Sequence, residues 1–307
     1  MVPAVKKNIL ITGGTGFIGA HLTHLLLQNG YTVSILSRGK KKVAGGVTYY
    51  YWDVNKKIIA PEAVLKADYI IHLAGSSIAG GRWTKKRKEE ILSSRIDSTQ
   101  ILFDTLQKNK KKLDGFVTAS AIGIYGAFNS ETICTEMTLA ANDFVGTVCQ
   151  QWEAAADQIG SLGIRTVKIR TGLVLGKKGG FLKPLIPIFK NKLGAALGTG
   201  KQYMPWIHIE DLCQIYLTAI QNETMNGSYN AVVDDATTNQ HFSRKLASTF
   251  GYKLWLPNIP AFILQLLLGK MSNLLLKGQR VSSQKIKEAG FTFQYTDLEK
   301  ALKEVLL

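Results

Sequence analysis

Short apolar runs alternate with longer segments of helical periodicity through the first half of the chain. Asn8–Thr12 is a continuous apolar run that ends in glycines, and Phe17–Asn29 repeats apolar residues with the period of an α-helix. The same patterns predict strands at Thr32–Leu36, Val47–Trp52, Tyr69–Leu73, Gly115–Ser120 and Ile164–Ile169, and helices at Glu89–Gln107 and Val145–Ile159. Strands and helices that alternate at this spacing are typical of βαβ units. The pattern predicts an α/β fold with a doubly wound parallel Rossmann sheet.

The alternation weakens after Gly176, where Gly, Pro and Lys interrupt the chain. We therefore predict a dinucleotide-binding domain of residues 1–176, joined by about 207–236. Residues 177–206 and 237–307 are predicted to form a smaller C-terminal substrate lobe. The most apolar stretch, Ile259–Leu276, is interrupted by Gly269 and Lys270, so an amphipathic or buried helix pair is expected there instead of a membrane span.

Composition narrows the class of protein. The 307 residues include three scattered Cys without a CxxC motif, which argues against a disulfide framework and against a metal site. Together with an N-terminus that lacks the pattern of a secretory signal, this usage favours a reducing cytoplasm. No membrane partner is expected.

The net charge of +16 is large and unevenly distributed. Lysine runs at 40–42, 85–88 and 108–112 either attract anions or form solvated helix ends and loops. Aromatic residues do not interleave with these runs in the way that a single-strand binder requires, so no nucleic-acid partner is expected. Six Lys and no acid lie between Gly176 and Ile209, which favours a small anionic substrate in the lobe.

A glycine motif follows the first predicted strand. Gly13, Gly16 and Gly19 are spaced for a tight turn that lets the backbone approach a pyrophosphate, and the next helix offers free N–H groups to that anion. The second strand ends in Ser37 and Arg38, where an NAD-binding protein usually carries an acid. A guanidinium can form a bidentate hydrogen bond with a 2′-phosphate, so NADP is favoured over NAD. Asp53 either contacts the adenine amino group or forms a turn.

At this point the chain resembles the extended short-chain dehydrogenase/reductase superfamily, and within it the atypical YfcH-like sugar-nucleotide epimerases. The resemblance is carried by the segments TGGTGFIG (12–19), LSRG (36–39), HLAG (72–75), SSRIDST (93–99), ASAIGIYG (119–126), DFVGTVCQQWE (143–153), IRTGLVLG (169–176), GTGKQYMPWIHIEDL (198–212), GSYNAV (227–232) and the tail from 260 to 302. It implies that further cofactor contacts come from Thr15, Phe17, Ile18, Leu73, Ala74 and Gly75.

The superfamily's chemistry rests on Ser, Tyr-x-x-x-Lys and Asn, and this chain departs from that set. The resemblance places Ser120 at the Ser, Val145 at the Tyr, Cys149 at the Lys and Arg95 at the Asn. No shift of register restores the pair, because no Lys occurs between Leu113 and Ile164 and no Tyr has a Lys four residues later.

Four residues are candidates for the missing chemistry. Ser120 can donate a hydrogen bond, Tyr125 is the tyrosine close to it in sequence, and Cys149 could ionise beside Arg95 or an oxidised nicotinamide. Three of the four also have a structural interpretation: a hydroxyl that caps a strand end for Ser120, a small buried helix residue for Cys149, and a surface ion pair for Arg95.

In the lobe, Gln202, Trp206 and His208 suit a sugar or nucleotide, although a core Trp and a core His fit equally well. Asp234 and Asp235 replace the proline-rich turn of the resembled proteins. We expect an NADP-binding reductase or epimerase that acts on a sugar nucleotide or small anion. The alternative is a non-enzymatic NADP(H)-sensing regulator. The superfamily forms dimers through helices that correspond to Glu89–Gln107 and Val145–Ile159, so a homodimer is also expected.

Overall fold

A computed structural model describes residues 6–177 and 179–307. Within these residues the strands are β1 (Asn8–Thr12), β2 (Thr32–Ser37), β3 (Lys42–Ala44), β4 (Val47–Asp53), β5 (Ile58–Ile59), β6 (Tyr69–His72), β7 (Gly115–Ala121), β8 (Ser130–Cys134), β9 (Thr166–Thr171), β10 (Leu173–Leu175), β11 (Trp206–His208), β12 (Gly227–Ala231) and β13 (Gln279–Val281). The helices are α1 (Phe17–Gln28), α2 (Pro61–Leu65), α3 (Lys85–Lys108), α4 (Phe144–Gly160), α5 (Leu185–Lys190), α6 (Ile209–Gln221), α7 (Asn239–Thr249), α8 (Ala261–Leu268), α9 (Asn273–Leu276), α10 (Gln284–Glu288) and α11 (Leu298–Leu306). Short 3₁₀ helices cover Ile122–Tyr125 and Gly269–Ser272.

The main sheet has the strand order β12-β9-β7-β6-β1-β2-β4-β3. All neighbours from β12 to β4 are parallel, and β3 and β5 add to β4 in the antiparallel sense. The order reverses between β1 and β6, which is where open α/β sheets bind their ligands. The predicted doubly wound parallel Rossmann sheet is confirmed.

The apolar runs of the sequence are strands buried on both faces. In β1, Ile9 and Ile11 belong to one core cluster and Leu10 belongs to the cluster on the opposite face. Successive side chains of a strand point to opposite faces, so a strand covered by helices on both sides has no polar face to present. This is why β1 lacks the alternation of a half-exposed strand.

Two of the predicted elements differ from the observed ones by more than one residue. The strand predicted at Ile164–Ile169 is β9, which begins and ends two residues later. The helix predicted from Glu89 begins at Lys85, where the Thr84 side chain accepts a hydrogen bond from the Arg87 N–H. The basic run Lys85–Lys88 is therefore the first turn of α3, where cations oppose the helix dipole.

The C-terminal part packs onto the nucleotide-binding part. Strand β13 pairs with β8, and Leu302 and Val305 of α11 share a core cluster with Ile9 and Leu22. The apolar core is therefore continuous across Gly176. The predicted division into two parts stays a prediction.

The apolar stretch Ile259–Leu276 forms the expected pair of short helices, α8 and α9, joined by a 3₁₀ turn. Across residues 6–177 and 179–307, no helix is long and apolar enough to cross a membrane. The same residues hold no cluster of three His, Cys, Asp or Glu side chains that could bind a metal ion.

Candidate functional site

A cavity of about 580 Å³ opens at the switch point of the sheet, at the carboxyl ends of β1, β2, β4 and β6. Seven of the predicted cofactor residues line it: Gly13, Thr15, Ser37, Arg38, Asp53, Ala74 and Gly75. The structure does not place five other predicted contacts in its lining: Gly16, Phe17, Ile18, Gly19 and Leu73.

The glycine turn between β1 and α1 requires the absence of side chains. Gly13 has φ +69°, and a Cβ there would lie 3.0 Å from the backbone of Leu73. A Cβ on Gly19 would lie 2.3 Å from the Gly13 carbonyl oxygen. Gly16 precedes α1 without a side-chain cap, so the first N–H groups of the helix remain open to an anion.

The Phe17 ring lies on the far side of this turn. A Cβ on Gly176 or Gly179 would lie 2.3 Å from that ring, so these glycines let the loop after β10 pack against the start of α1. Phe17 therefore serves packing in this structure, and its predicted contact with a cofactor stays a prediction.

Ser37 and Arg38 line the cavity where β2 ends. Arg38 takes part in none of the ion pairs formed within residues 6–177 and 179–307. Asp53 lines the cavity and also accepts a hydrogen bond from the Lys56 N–H at 3.2 Å. Asp53 is thus both a turn residue and a cavity residue, and its predicted contact with an adenine amino group stays a prediction.

Sequence reasoning missed the wall that α3 contributes. Glu90, Ser93, Ser94 and Asp97 line the cavity, and the Ser94 hydroxyl accepts a hydrogen bond from the Ser76 N–H at 3.0 Å. The segment SSRIDST (93–99) carries three of these residues. Its polar residues recur at helical spacing, and this is the signal that could have assigned them to the cofactor wall.

A buried histidine holds the segment after β6. The Thr12 Oγ1 accepts hydrogen bonds from the N–H groups of Leu73 and Ala74, so its own proton points to His72 Nδ1 at 2.7 Å. Ser98 and Thr99 donate their hydroxyl protons to helix carbonyls and therefore accept from His72 Nε2 at 3.1 and 3.2 Å. This bonding selects the neutral imidazole with its proton on Nε2. Burial, with the charge of Arg95, lowers the pKa of His72 to about 3.

Val145 and Cys149, which stand at the Tyr and Lys positions, are buried one turn apart on α4. Both side chains face Gly123, where a Cβ would lie 2.4 Å from Val145 Cγ1 and 3.7 Å from Cys149 Sγ. Burial and the charge of Glu153 raise the pKa of Cys149 to about 12, against the opposing effect of Arg95. The structure therefore favours a protonated, buried Cys149 over an ionised one.

Arg95 is buried beside the cavity. It donates from Nη1 to the carbonyls of Ser76 and Ile91 at 3.0 and 2.8 Å, and its guanidinium stacks 4.8 Å from the Trp152 ring centre. A Cβ on Gly75 would touch this guanidinium at 3.2 Å. Burial lowers the pKa of Arg95 below its ordinary value. Arg95 is thus a buried cation that contacts Gly75 and Ser76, and not the surface ion pair considered from the sequence.

The hydroxyls of Ser120 and Tyr125 face a buried ion pair. Arg170 and Glu153 form two hydrogen bonds of 2.8 and 2.9 Å, and Ser120 donates to the same carboxylate at 2.6 Å. The Tyr125 hydroxyl donates to Asn230 Oδ1 at 2.6 Å and accepts from Arg170 at 3.1 Å. Burial raises the pKa of Tyr125 to about 12. The structure does not bring these hydroxyls to the cavity wall, and their predicted catalytic role stays a prediction.

The three predicted substrate residues of the lobe are buried. Trp206 donates to Asp235 Oδ2 at 3.1 Å, and His208 Nε2 lies 2.7 Å from Glu304 Oε2. These two residues therefore fit the core interpretation, because both side chains are fully buried. Gln202 donates to the carbonyls of Leu197 and Leu275, while its own buried carbonyl oxygen has no partner within the described residues. Of the three, Gln202 alone has a buried side-chain polar atom without a partner among the described residues.

Taken together, the switch-point cavity, the glycine turn and the uncapped start of α1 define a dinucleotide-binding α/β protein of the Rossmann type. The family model for the NAD dependent epimerase/dehydratase family matches residues 9–232, and a second model, for the domain of unknown function DUF1731, matches residues 259–305. The chain belongs to the NAD dependent epimerase/dehydratase family.

Similar proteins cover nearly the whole chain. Epimerase family protein YfhF of Bacillus subtilis is 39% identical over 301 residues, which is 97% of this chain and 98% of the relative. The crystal structure of human epimerase family protein SDR39U1 (isoform 2) with NADPH has a TM-score of 0.84 at 29% identity and covers 97% of this chain and 98% of its own. A nucleoside-diphosphate sugar epimerase from Corynebacterium glutamicum has a TM-score of 0.79 at 29% identity and covers 98% of this chain and 58% of its own. The similarity to atypical extended dehydrogenase/reductases is thereby confirmed.

Proposed function

We propose that this chain binds NADP(H) in the switch-point cavity. The glycine turn and the start of α1 would hold the pyrophosphate, and Ser37 and Arg38 would hold the 2′-phosphate. The observation that carries the proposal is the convergence of both elements on one cavity of about 580 Å³. The human relative whose structure contains NADPH supports the same cofactor.

Arg38→Ala tests the choice of cofactor. A charge-assisted contact contributes about 1.5–3 kcal/mol, which corresponds to a roughly 10- to 150-fold loss in NADPH affinity. Calorimetric titration with NADPH and NADH measures this loss, and Lys40→Ala is the matched control, because Lys40 is exposed and does not line the cavity. Equal affinity of the unmodified chain for both cofactors contradicts the proposal, and so does an Arg38→Ala variant that keeps its preference.

The substrate we propose is a sugar nucleotide or another small anion, reduced or epimerised by hydride transfer. The family to which the chain belongs and the acid-free stretch between Gly176 and Ile209 support this class. NADP(H) would supply the hydride. Arg95 would supply a fixed positive charge behind Gly75, and Gln202 would offer its free carbonyl oxygen to a substrate donor. The test is to follow the change in NADPH absorbance with time in the presence of a panel of sugar nucleotides and small carbonyl acids.

The second candidate function is a non-enzymatic NADP(H) sensor. It is favoured by one observation: the hydroxyls of Ser120 and Tyr125 are engaged with Glu153, Arg170 and Asn230, which leaves the position of the superfamily's Tyr to Val145. If the chain is a sensor, we expect no turnover of any compound in the panel. We also expect the hydrogen-exchange rate of residues 73–84 to differ between the NADP⁺-bound and the NADPH-bound chain. Turnover without such a difference supports the enzyme, and the reverse result supports the sensor. The homodimer through α3 and α4 also stays a proposal, testable by light scattering.

A further inference from the structure

The smaller lobe has an unusual charge composition. Between Asp235 and Glu288 the sequence holds eight Lys and Arg and no acid, and between Gly176 and Ile209 it holds six Lys and no acid. A pocket for a small anionic substrate needs only a few cations, and they must lie close together. A lobe without acids over both stretches presents a positive potential across its outer surface, which an extended anionic partner can match.

The same lobe exposes large apolar side chains on α8. The sequence of this helix is AFILQLLL, and Leu264 is its one buried residue. Phe262, Leu266 and Leu267 are 67%, 73% and 63% exposed. Large apolar side chains that lie together in solvent mark a surface that another molecule or phase covers.

The exposed apolar surface extends beyond the helix. Trp255, which is 65% exposed, donates from Nε1 to the Lys192 carbonyl at 2.9 Å. Leu193, which follows Lys192 in the sequence, donates its N–H to the Ile188 carbonyl at 3.0 Å. The side chains of Leu193 and Ile188 are both exposed. Ile259, just before α8, is tied to Ala196 by a backbone hydrogen bond. We call this surface the apolar face; its residues are Ile188, Leu193, Trp255, Phe262, Leu266 and Leu267.

Unpaired cations belong to the same segments as the apolar face. Lys190, Lys192, Lys253 and Lys270 are exposed and take part in none of the ion pairs formed within residues 6–177 and 179–307. At the end of α8, Arg82 donates to the Leu266 carbonyl at 3.3 Å, and α3 with its basic first turn begins three residues later. Exposed cations and exposed apolar side chains are therefore close neighbours along the same segments of the chain.

We propose that the apolar face docks on an anionic lipid bilayer surface. Trp, Phe and Leu side chains enter the boundary between headgroups and acyl chains, and the surrounding Lys and Arg contact anionic headgroups. A second copy of this chain is a poor partner, because a symmetric contact through this face would bring the acid-free, lysine-rich stretches of two copies against each other. Binding of this kind needs no spanning helix, so it departs from the expectation of no membrane partner, which rested on the absence of a span.

Vesicle flotation of the full chain tests the proposal. Vesicles of phosphatidylcholine with about one-third phosphatidylglycerol should bind the chain, because each lysine at an anionic surface adds about fivefold to the partition. Binding should fall steeply in about 0.5 M salt, where screening acts within a few Å. Phe262→Glu with Leu266→Glu should lower binding at least about tenfold. The matched control is Met137→Glu with Leu139→Glu, since both residues are 90% exposed and lie outside the lobe.

A second measurement uses the unmodified chain. Trp255 is the one tryptophan of this chain that is exposed, so its emission should shift to the blue when anionic vesicles are added, and Trp255→Phe should remove the shift. This measurement decides the matter if the double Glu variant fails to fold, as judged by lost NADPH affinity or lost circular dichroism.

Several results would overturn the proposal. They include no binding to anionic vesicles, equal binding to neutral ones, and equal loss in the Met137/Leu139 control. A concentration-dependent dimer that the Phe262/Leu266 variant abolishes would assign the face to a second copy. Binding of poly-glutamate through the same residues, without binding of vesicles, would assign it to an acidic protein.

Discussion

The buried imidazole of His72 makes the stability of this protein depend on pH between about 6.5 and 3. Burial and the charge of Arg95 lower its pKa from 6.5 to about 3. Both ring nitrogens are hydrogen-bonded in the neutral form, to Thr12 on one side and to Ser98 and Thr99 on the other. Protonation would place a second proton on Nδ1, where the Thr12 hydroxyl already points its own.

The sign of the effect follows from the depressed pKa. Above about pH 6.5 the imidazole is neutral in both states, and the stability is fully present. As the pH falls from 6.5 towards about 3, only the unfolded chain takes up the proton, so stability is lost. One proton corresponds to about 1.4 kcal/mol per pH unit. With about 2.1 cal/mol/K of unfolding entropy per residue, the 307 residues convert this loss to about 2 °C in Tm per pH unit.

Thermal unfolding between pH 6.5 and 4.5 measures this slope. We expect the unmodified chain and His24→Gln, an exposed control, to lose about 4 °C across the interval, and His72→Gln to lose far less. The comparison concerns slopes, so a lower starting Tm of His72→Gln does not confound it. A slope in His72→Gln equal to that of the unmodified chain would refute the assignment. So would an NMR titration of His72 with a midpoint near pH 6.

Three further predictions concern the ion pair, the cysteines and the glycine turn. Arg170→Met should leave the Glu153 carboxylate buried without its cation and lower the free energy of unfolding by about 3–5 kcal/mol, or the Tm by about 5–8 °C. Adding Glu153→Leu should recover most of this loss. A double variant as unstable as Arg170→Met would contradict the assignment of the loss to an unpaired buried charge. Cys149 should react with aromatic disulfide reagents at pH 8 only when the chain unfolds, because it is buried and its pKa is about 12. Rapid reaction of the Cys149 thiol in the folded chain would contradict this. Gly19→Ala should abolish NADPH binding measured by calorimetry, since its Cβ would lie 2.3 Å from a backbone oxygen; retained affinity would show that the turn can yield.

Local sequence patterns were sufficient for the sheet and for part of the cofactor site. The apolar runs at Asn8–Thr12 and Thr32–Leu36 are strands because burial on both faces removes polar residues from them. The glycine spacing from Gly13 to Gly19 specifies a turn geometry that few other residues can adopt, so the motif is visible without any tertiary contact. Ser37 and Arg38 follow directly, because a strand end in a parallel sheet points to the cofactor edge.

Tertiary structure alone decided where the polar side chains at the centre of the molecule point. Ser120 and Tyr125 come from a segment that resembles a catalytic one, yet their hydroxyls bind Glu153, Asn230 and Arg170, which lie 33 to 105 positions away in the sequence. Trp206 and His208 are equally compatible with a ligand and with the core until Asp235 and Glu304 satisfy them. A buried polar group takes whichever partner the fold brings within hydrogen-bonding distance, and that distance is set by the packing of remote segments, which a linear pattern does not contain.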